Sequence, residues 1–154
     1  QYFSPAGESR GVVEPYYILF QWGAWYLWGW CREREDYRLF KLERMAGLSL
    51  GEPFAKRQAP YPDLSDKRVF PQRYQVEALV PARYKWLLVE EYGEKSFTIE
   101  PDGRCRFSIG FTHLDSAVGF LLSFRGDAQV LGPKEVQEAL GVVGKKLTES
   151  LERT

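Results

Sequence analysis

Over the first fifty residues, apolar positions come in short runs separated by polar or breaker residues. Val12-Val13, Tyr16 to Phe20, Trp25 to Cys31 and Tyr37 to Leu42 are rich in aromatic and β-branched residues, which predicts strands. Gln21-Trp22-Gly23-Ala24 is short enough for a hairpin connection, and Arg32-Glu33-Arg34-Glu35-Asp36 reads as a charged turn. Successive short strands of this kind predict a small β-barrel. From Gly51 to Pro71 the chain becomes charged and rich in proline (Pro53, Pro60, Pro62, Pro71) with no apolar period. It reads as a linker, and it places a domain boundary near residue 72, with domains over 1–72 and 73–154.

Beyond the boundary the period changes. Tyr74, Val76, Ala78 and Val80 alternate as a strand, and Pro81 opens a helix carrying Tyr84, Leu87, Leu88 and Glu91 at helical spacing. Ser96 to Glu100 and Arg104 to Phe111 are predicted strands joined by Pro101-Asp102-Gly103, where glycine can supply a positive φ. Thr112-x-x-Asp115 resembles a capping box before a helix carrying Leu114, Val118, Leu121 and Leu122, with Gly126 to end it. Ala128 to Leu131 is a short strand. Gly132-Pro133 then opens a last helix with an apolar stripe of Val136, Leu140, Val143, Leu147 and Leu151. The fold class is therefore α+β: a small barrel, then a split βαβ, ferredoxin-like βαββαβ order with an added C-terminal helix.

Composition narrows the function. With 154 residues and 44% apolar side chains, the chain can build an ordinary core. The 21 basic and 21 acidic groups cancel, so a polyanion cannot be held by bulk charge and any such site must be local. Two cysteines outside any C-x-x-C pair and a single histidine exclude a cysteine-histidine zinc site and argue against a disulfide scaffold. No metal or cofactor is expected, and the reducing cytoplasm is the expected setting. No apolar run reaches the roughly 18 residues of a membrane span. The chain starts at Gln1 and its only methionine is Met45, so a longer parent protein is expected.

Two patterns carry chemistry. Four of the five tryptophans lie between Trp22 and Trp30; on the predicted strand, alternation groups Tyr26, Trp28, Trp30 and Arg32 on one face and Trp25, Leu27, Gly29 and Cys31 on the other. One face packs and the other shows rings. Extending the next strand to residue 44 places Arg38, Phe40, Leu42 and Arg44 on one face. An arginine so placed needs a partner, either an internal carboxylate (Glu14, Glu33, Glu35 or Asp36) or a ligand anion. Rings beside guanidiniums suit single-stranded nucleic acid, in which bases stack and phosphates take bidentate contacts. The same rings could equally be an outer face covered by protein. Catalysis is not expected: Glu90 and Glu91 point in different directions on a helix, His113 precedes a helix, and Cys31 has no evident base.

Trp25-Tyr26-Leu27, preceded by Val13-Glu14-Pro15-Tyr16 and followed by Cys31-Arg32 and Arg38-x-Phe40-x-Leu42-x-Arg44-Met45, resembles the WYL domain of bacterial transcriptional regulators. Leu121 to Phe124 and Ala128 to Val136 are similar to the extension that follows it. The resemblance implies a Sm-like, SH3-like barrel that senses a ligand, and a ferredoxin-like extension involved in homodimer contacts. It implies a ligand that is single-stranded nucleic acid or another nucleotide-containing effector. By motif position Tyr26, Arg38 and Arg44 would line the ligand site, with Arg10, Arg32 and Ser4 added from neighbouring turns. Operator DNA would be reached only through a helix-turn-helix domain that does not precede Gln1, so this chain is expected to sense rather than bind an operator. The alternative is a protein–protein assembly module without a small ligand.

Overall fold

The computed structural model describes residues 1–21, 23–65 and 71–153; Trp22, residues 66–70 of the expected linker, and Thr154 lie outside the described residues. The chain divides into two compact units, Gln1–Val69 and Phe70–Thr154.

The first unit holds a short hairpin, β1 (Tyr2–Ser4) and β2 (Gly7–Ser9), and a three-stranded antiparallel sheet in the order β3 (Val13–Gln21), β4 (Ala24–Cys31), β5 (Asp36–Lys41). The predicted closed barrel is not what these strands build. Among the described residues β3 and β5 do not pair with each other, and the hairpin joins neither strand by a ladder, its one β-bridge outside itself running from Tyr2 to Met45. Strands of three residues each have too few ladder bonds to close a barrel. The long strand predicted over Tyr37 to Arg44 also ends early: β5 stops at Lys41 and a 3-10 turn takes Leu42–Arg44.

A bulge between Pro15 and Tyr17 shapes the sheet. Opposite it, a Cβ on Gly29 would stand 2.6 Å from Val13 Cγ1 and 2.7 Å from the Glu14 carbonyl oxygen. Only glycine lets β3 lie this close, and the bulge turns the extra residue, Tyr16, toward Tyr37.

In the second unit, β6 (Tyr74–Val80), α1 (Lys85–Tyr92), β7 (Phe97–Ile99), β8 (Cys105–Phe111), α2 (Leu114–Leu122) and β9 (Gln129–Gly132) follow one another. Their antiparallel sheet has the order β7-β8-β6-β9, the order a split βαβ unit produces. α3 (Lys134–Glu152) is the added helix. Alternation decides the faces: Val76, Ala78 and Val80 with Phe107, Ile109 and Phe111 join Leu88, Leu121, Phe124 and Val136 in one apolar cluster. The opposite face carries Arg106 between Glu77 (2.7 Å) and Glu100 (2.6 Å). Gly103 takes a φ of 84° in the hairpin turn before β8. The capping box expected at Thr112 does not form; His113 occupies the cap position and no side chain caps the helix. The α3 stripe is core only at its start: Val136 is buried, Leu140 and Val143 half-buried, and Leu147 and Leu151 exposed.

Candidate ligand-binding site

β4 organises the first unit. Its register pairs Tyr26 with Leu19 and Lys41, Trp28 with Tyr17 and Leu39, and Trp30 with Glu14 and Tyr37, so these residues share one face. Leu27 with Ile18 and Phe40, and Gly29 with Pro15 and Arg38, take the other. The grouping of Tyr26, Trp28 and Trp30 follows the sequence alternation. Which face shows its rings does not. Trp28 is only 4% exposed, whereas Ile18, Phe20 and Trp25 on the reverse face are exposed.

The cover over Trp28 comes from the segment expected to be a linker. Residues 54–62 cross the aromatic face as a strap with no ladder to the sheet: Trp28 Nε1 donates to the Pro60 carbonyl at 3.0 Å, Phe54 meets Tyr16, Tyr61 meets Tyr17, and Pro62 is fully buried. The strap's firmest anchor is Arg57. Its guanidinium lies 4.6 Å from the centre of the Trp30 ring, and its Nε donates to Glu14 Oε2 at 2.7 Å while Nη2 donates to Oε1 at 3.4 Å. Its backbone N–H donates to the Tyr16 hydroxyl at 2.9 Å.

Glu14 is 3% exposed and is the buried charged group of the described residues. Arg32 Nε also donates to it, at 3.1 Å. Its hydrogen bond from Arg57 holds its carboxyl below the usual carboxylate range, against the opposing effect of burial and with help from Arg32. A carboxylate was the expected partner for a strand arginine, but it pairs with Arg32 and Arg57, not with Arg38 or Arg44.

The other end of β4 is differently equipped. Tyr26 is half-buried; burial pushes its phenol up, and the positive charges of Lys41 and Arg44 beside it oppose that rise. Lys41 Nζ meets Glu43 at 3.2 Å, and its backbone N–H donates to the Tyr2 hydroxyl at 3.1 Å. Arg44 makes no hydrogen bond or ion pair with any described residue. The side chain of Arg38, exposed on the reverse face, likewise has no such partner, although its backbone pairs with Gly29. The structure therefore brings Tyr26 and Arg44 together and separates Arg38 from them, because the strand that was to carry both arginines gives way to a turn.

The remaining expected residues are scattered. Arg32 is committed to Glu14. Ser4 Oγ donates to the Gly7 carbonyl at 3.0 Å inside the first hairpin. Arg10, with Gln1, Glu8 and Ser9, lines a depression of about 240 Å³. Cys31 is buried and its thiol donates to Glu33 Oε2 at 3.6 Å. Among the described residues no cluster of three or more His, Cys, Asp or Glu could hold a metal ion, and no helix is long and apolar enough to cross a membrane. Sequence reasoning missed Arg57 and Lys41. For Arg57 the available signal was a cation within a Pro-rich stretch flanked by Phe54 and Tyr61; for Lys41 it was the pairing register.

A WYL domain followed by its WCX extension is what this combination of strands and helices constitutes: the WYL domain family matches residues 1–50 and the WCX domain family residues 72–147. The chain belongs to the WYL-domain family, with the WCX extension following the WYL domain. It is 30% identical over 145 residues to the protein named "Uncharacterized HTH-type transcriptional regulator YobV" of Bacillus subtilis, covering 89% of this chain and 46% of that one. It is 32% identical over 135 residues to Protein PafC of Mycobacterium tuberculosis, covering 82% and 41%. The chain thus spans about half the length of the curated relatives it matches. Among solved structures, proteasome accessory factor B/C (PafBC) of Arthrobacter aurescens is similar over 89% of this chain and 22% of its own, at 19% identity and a TM-score of 0.38.

Proposed function

We propose that this chain is the effector-sensing region of a bacterial transcriptional regulator, and that its first unit binds a nucleotide-containing ligand, single-stranded nucleic acid in the first instance. The observation that carries the reading is the pair of unclaimed guanidiniums, Arg44 and Arg38. Arg44 stands beside Lys41 and a half-buried phenol, Tyr26. Burial raises the Tyr26 phenol, which therefore stays neutral beside these cations at neutral pH. β5 is an edge strand, so a polyanion that passes over that edge can meet Arg38 on one side and Arg44 on the other. The relative named as an HTH-type transcriptional regulator supports the regulatory role. Binding would bias a helix-turn-helix domain outside these residues through differential affinity for two arrangements of the longer protein. The region senses its ligand and does not turn it over.

Fluorescence anisotropy with a labelled single-stranded oligonucleotide at two salt concentrations tests this. Arg44→Ala is expected to weaken binding about tenfold, the value of one charge-assisted hydrogen bond to a phosphate. The salt slope is expected to fall by roughly 0.7 for each phosphate that the variant no longer neutralises. Arg38→Ala should act in the same direction. Unchanged affinity in both variants at low salt rejects the assignment.

A second reading has its own support. Leu147 is 51% and Leu151 79% exposed at the end of α3, which suits homodimer contact through the second unit. Dimerisation and ligand sensing are compatible, and sedimentation of Leu147→Asp against the unaltered chain measures the former.

A further inference from the structure

The Arg57–Trp30–Glu14 arrangement has the chemistry of a ligand complex. A planar cation lies on an indole face and presents two adjacent N–H donors to the two oxygens of one buried carboxylate. One nucleobase presents that pattern. Guanine is planar and offers N1–H and N2–H side by side on its Watson–Crick edge. Adenine and cytosine place an acceptor nitrogen beside their amino group, and uracil and thymine flank one N–H with two carbonyls.

We propose that the Trp30–Glu14 pocket is a guanine site and that Arg57 is its built-in stand-in, displaced when a guanine base of the ligand stacks on Trp30 and pairs with Glu14. The proposal rests on the reading of this unit as a nucleotide sensor and adds base selectivity to it.

Three features fit displacement. The strap joins no strand of the described sheet, so lifting it breaks no ladder. The Arg57 side chain is 47% exposed, so the pocket lies at the surface. When Arg57 leaves, Arg32 stays on Glu14 Oε1 and keeps the carboxylate ionised and oriented, while Oε2 becomes free to accept. Tyr37 already stands edge-on to Trp30, with ring centres 5.1 Å apart. Trp30 and Tyr26 lie four residues apart on β4, about 13 Å. Guanine in the pocket and a phosphate at Arg44 therefore belong to different nucleotides of one strand.

The test is a tryptophan-fluorescence titration of the chain and of Arg57→Ala with guanosine, inosine, adenosine and cytidine. Nucleosides carry no phosphate, so the result does not depend on Arg44. Arg57→Ala is expected to bind guanosine at least tenfold more tightly than the unaltered chain, and about tenfold more tightly than inosine, which lacks the N2 donor. The unaltered chain is expected to prefer a thymidine pentamer with one central guanine over an all-thymidine pentamer by about fivefold, stacking being common to both. If circular dichroism finds Arg57→Ala unfolded, Arg57→Lys, which retains a cation but loses the fork, takes its place in the titration. Equal affinity for all four nucleosides, or no gain on removing the Arg57 fork, overturns the guanine site. Guanosine selectivity together with oligonucleotide affinity indifferent to Arg44 and Arg38 upholds the pocket and rejects the phosphate path. Oligonucleotide binding that depends on Arg44 without base preference does the reverse.

Discussion

In the second unit the interior is built from side chains with one property in common: Phe107, Phe124, Leu88, Leu121, Val76, Val80 and Val136 are all fully enclosed and apolar. In the first unit the enclosed set is smaller, Leu19, Ala24, Trp28 and Cys31 with Pro62, and a carboxylate sits among them. The second unit is held by burial, which is non-directional and tolerant of pH. The first keeps its aromatic face covered through one carboxylate shared by two arginines, a directional device that single atoms can undo. A site that must exchange cover for ligand is better made of such bonds than of a packed core, since breaking them leaves polar groups ready for a new partner.

The largest test of this contrast is Phe107→Ala. It leaves a cavity in the apolar cluster and should cost about 3–5 kcal/mol, measured by urea unfolding of the chain. The first unit responds instead to acid. Glu14 titrates below its ordinary value in the folded chain, so its contribution is complete above the unfolded value of about 4.3 and is lost as pH falls through the lowered folded value. A change in indole fluorescence below about pH 4 is expected, with Glu14→Gln lacking that transition. In the second unit Asp102 is held low by the backbone N–H and side chain of Arg104 at the surface, and Asp127 by the hydroxyl of buried Tyr84 and by Arg83, so only Asp127 reaches the edge of that core. Smallest is Lys134→Ala, which removes an exposed i,i+4 pair with Glu138 and should shift stability by about 0.3–0.5 kcal/mol in thermal unfolding.

The second unit was largely legible in the sequence because its period is regular. Val76, Ala78 and Val80 alternate over a full strand, and Asp102-Gly103 marks its hairpin. What failed there was local: Thr112 lies one residue too early to cap α2, and a short stripe on α3 outruns the surface that can cover it. In the first unit β4 was legible by the same period of two. The strap was not, because a segment that docks through isolated side chains such as Arg57 and Tyr61 leaves no repeat to read. Arg44 was placed on a strand because Leu42 and Arg44 continue the alternation of Arg38 and Phe40; the backbone leaves the ladder after Lys41, and alternation does not record that. Glu14 was one of the acids considered for Arg38 and Arg44, and only the folded chain reveals that it is claimed by Arg32 and Arg57 instead.

The unequal partnership at Glu14, two cations to one anion, sets the electrostatic sign of any exchange there. With the strap seated, the trio carries a surplus positive charge; once Arg57 departs, Arg32 and Glu14 neutralise each other. What takes the vacated seat is therefore best uncharged, and no counterions need be shed for it to enter. At the Tyr26 end, where Arg44 lies without an acid among the described residues, ionic strength would govern occupancy by the proposed polyanion. On the proposed reading, a single strand of the first unit would couple a salt-indifferent step to a salt-governed one, so that composition and charge of a ligand would be judged at separate places.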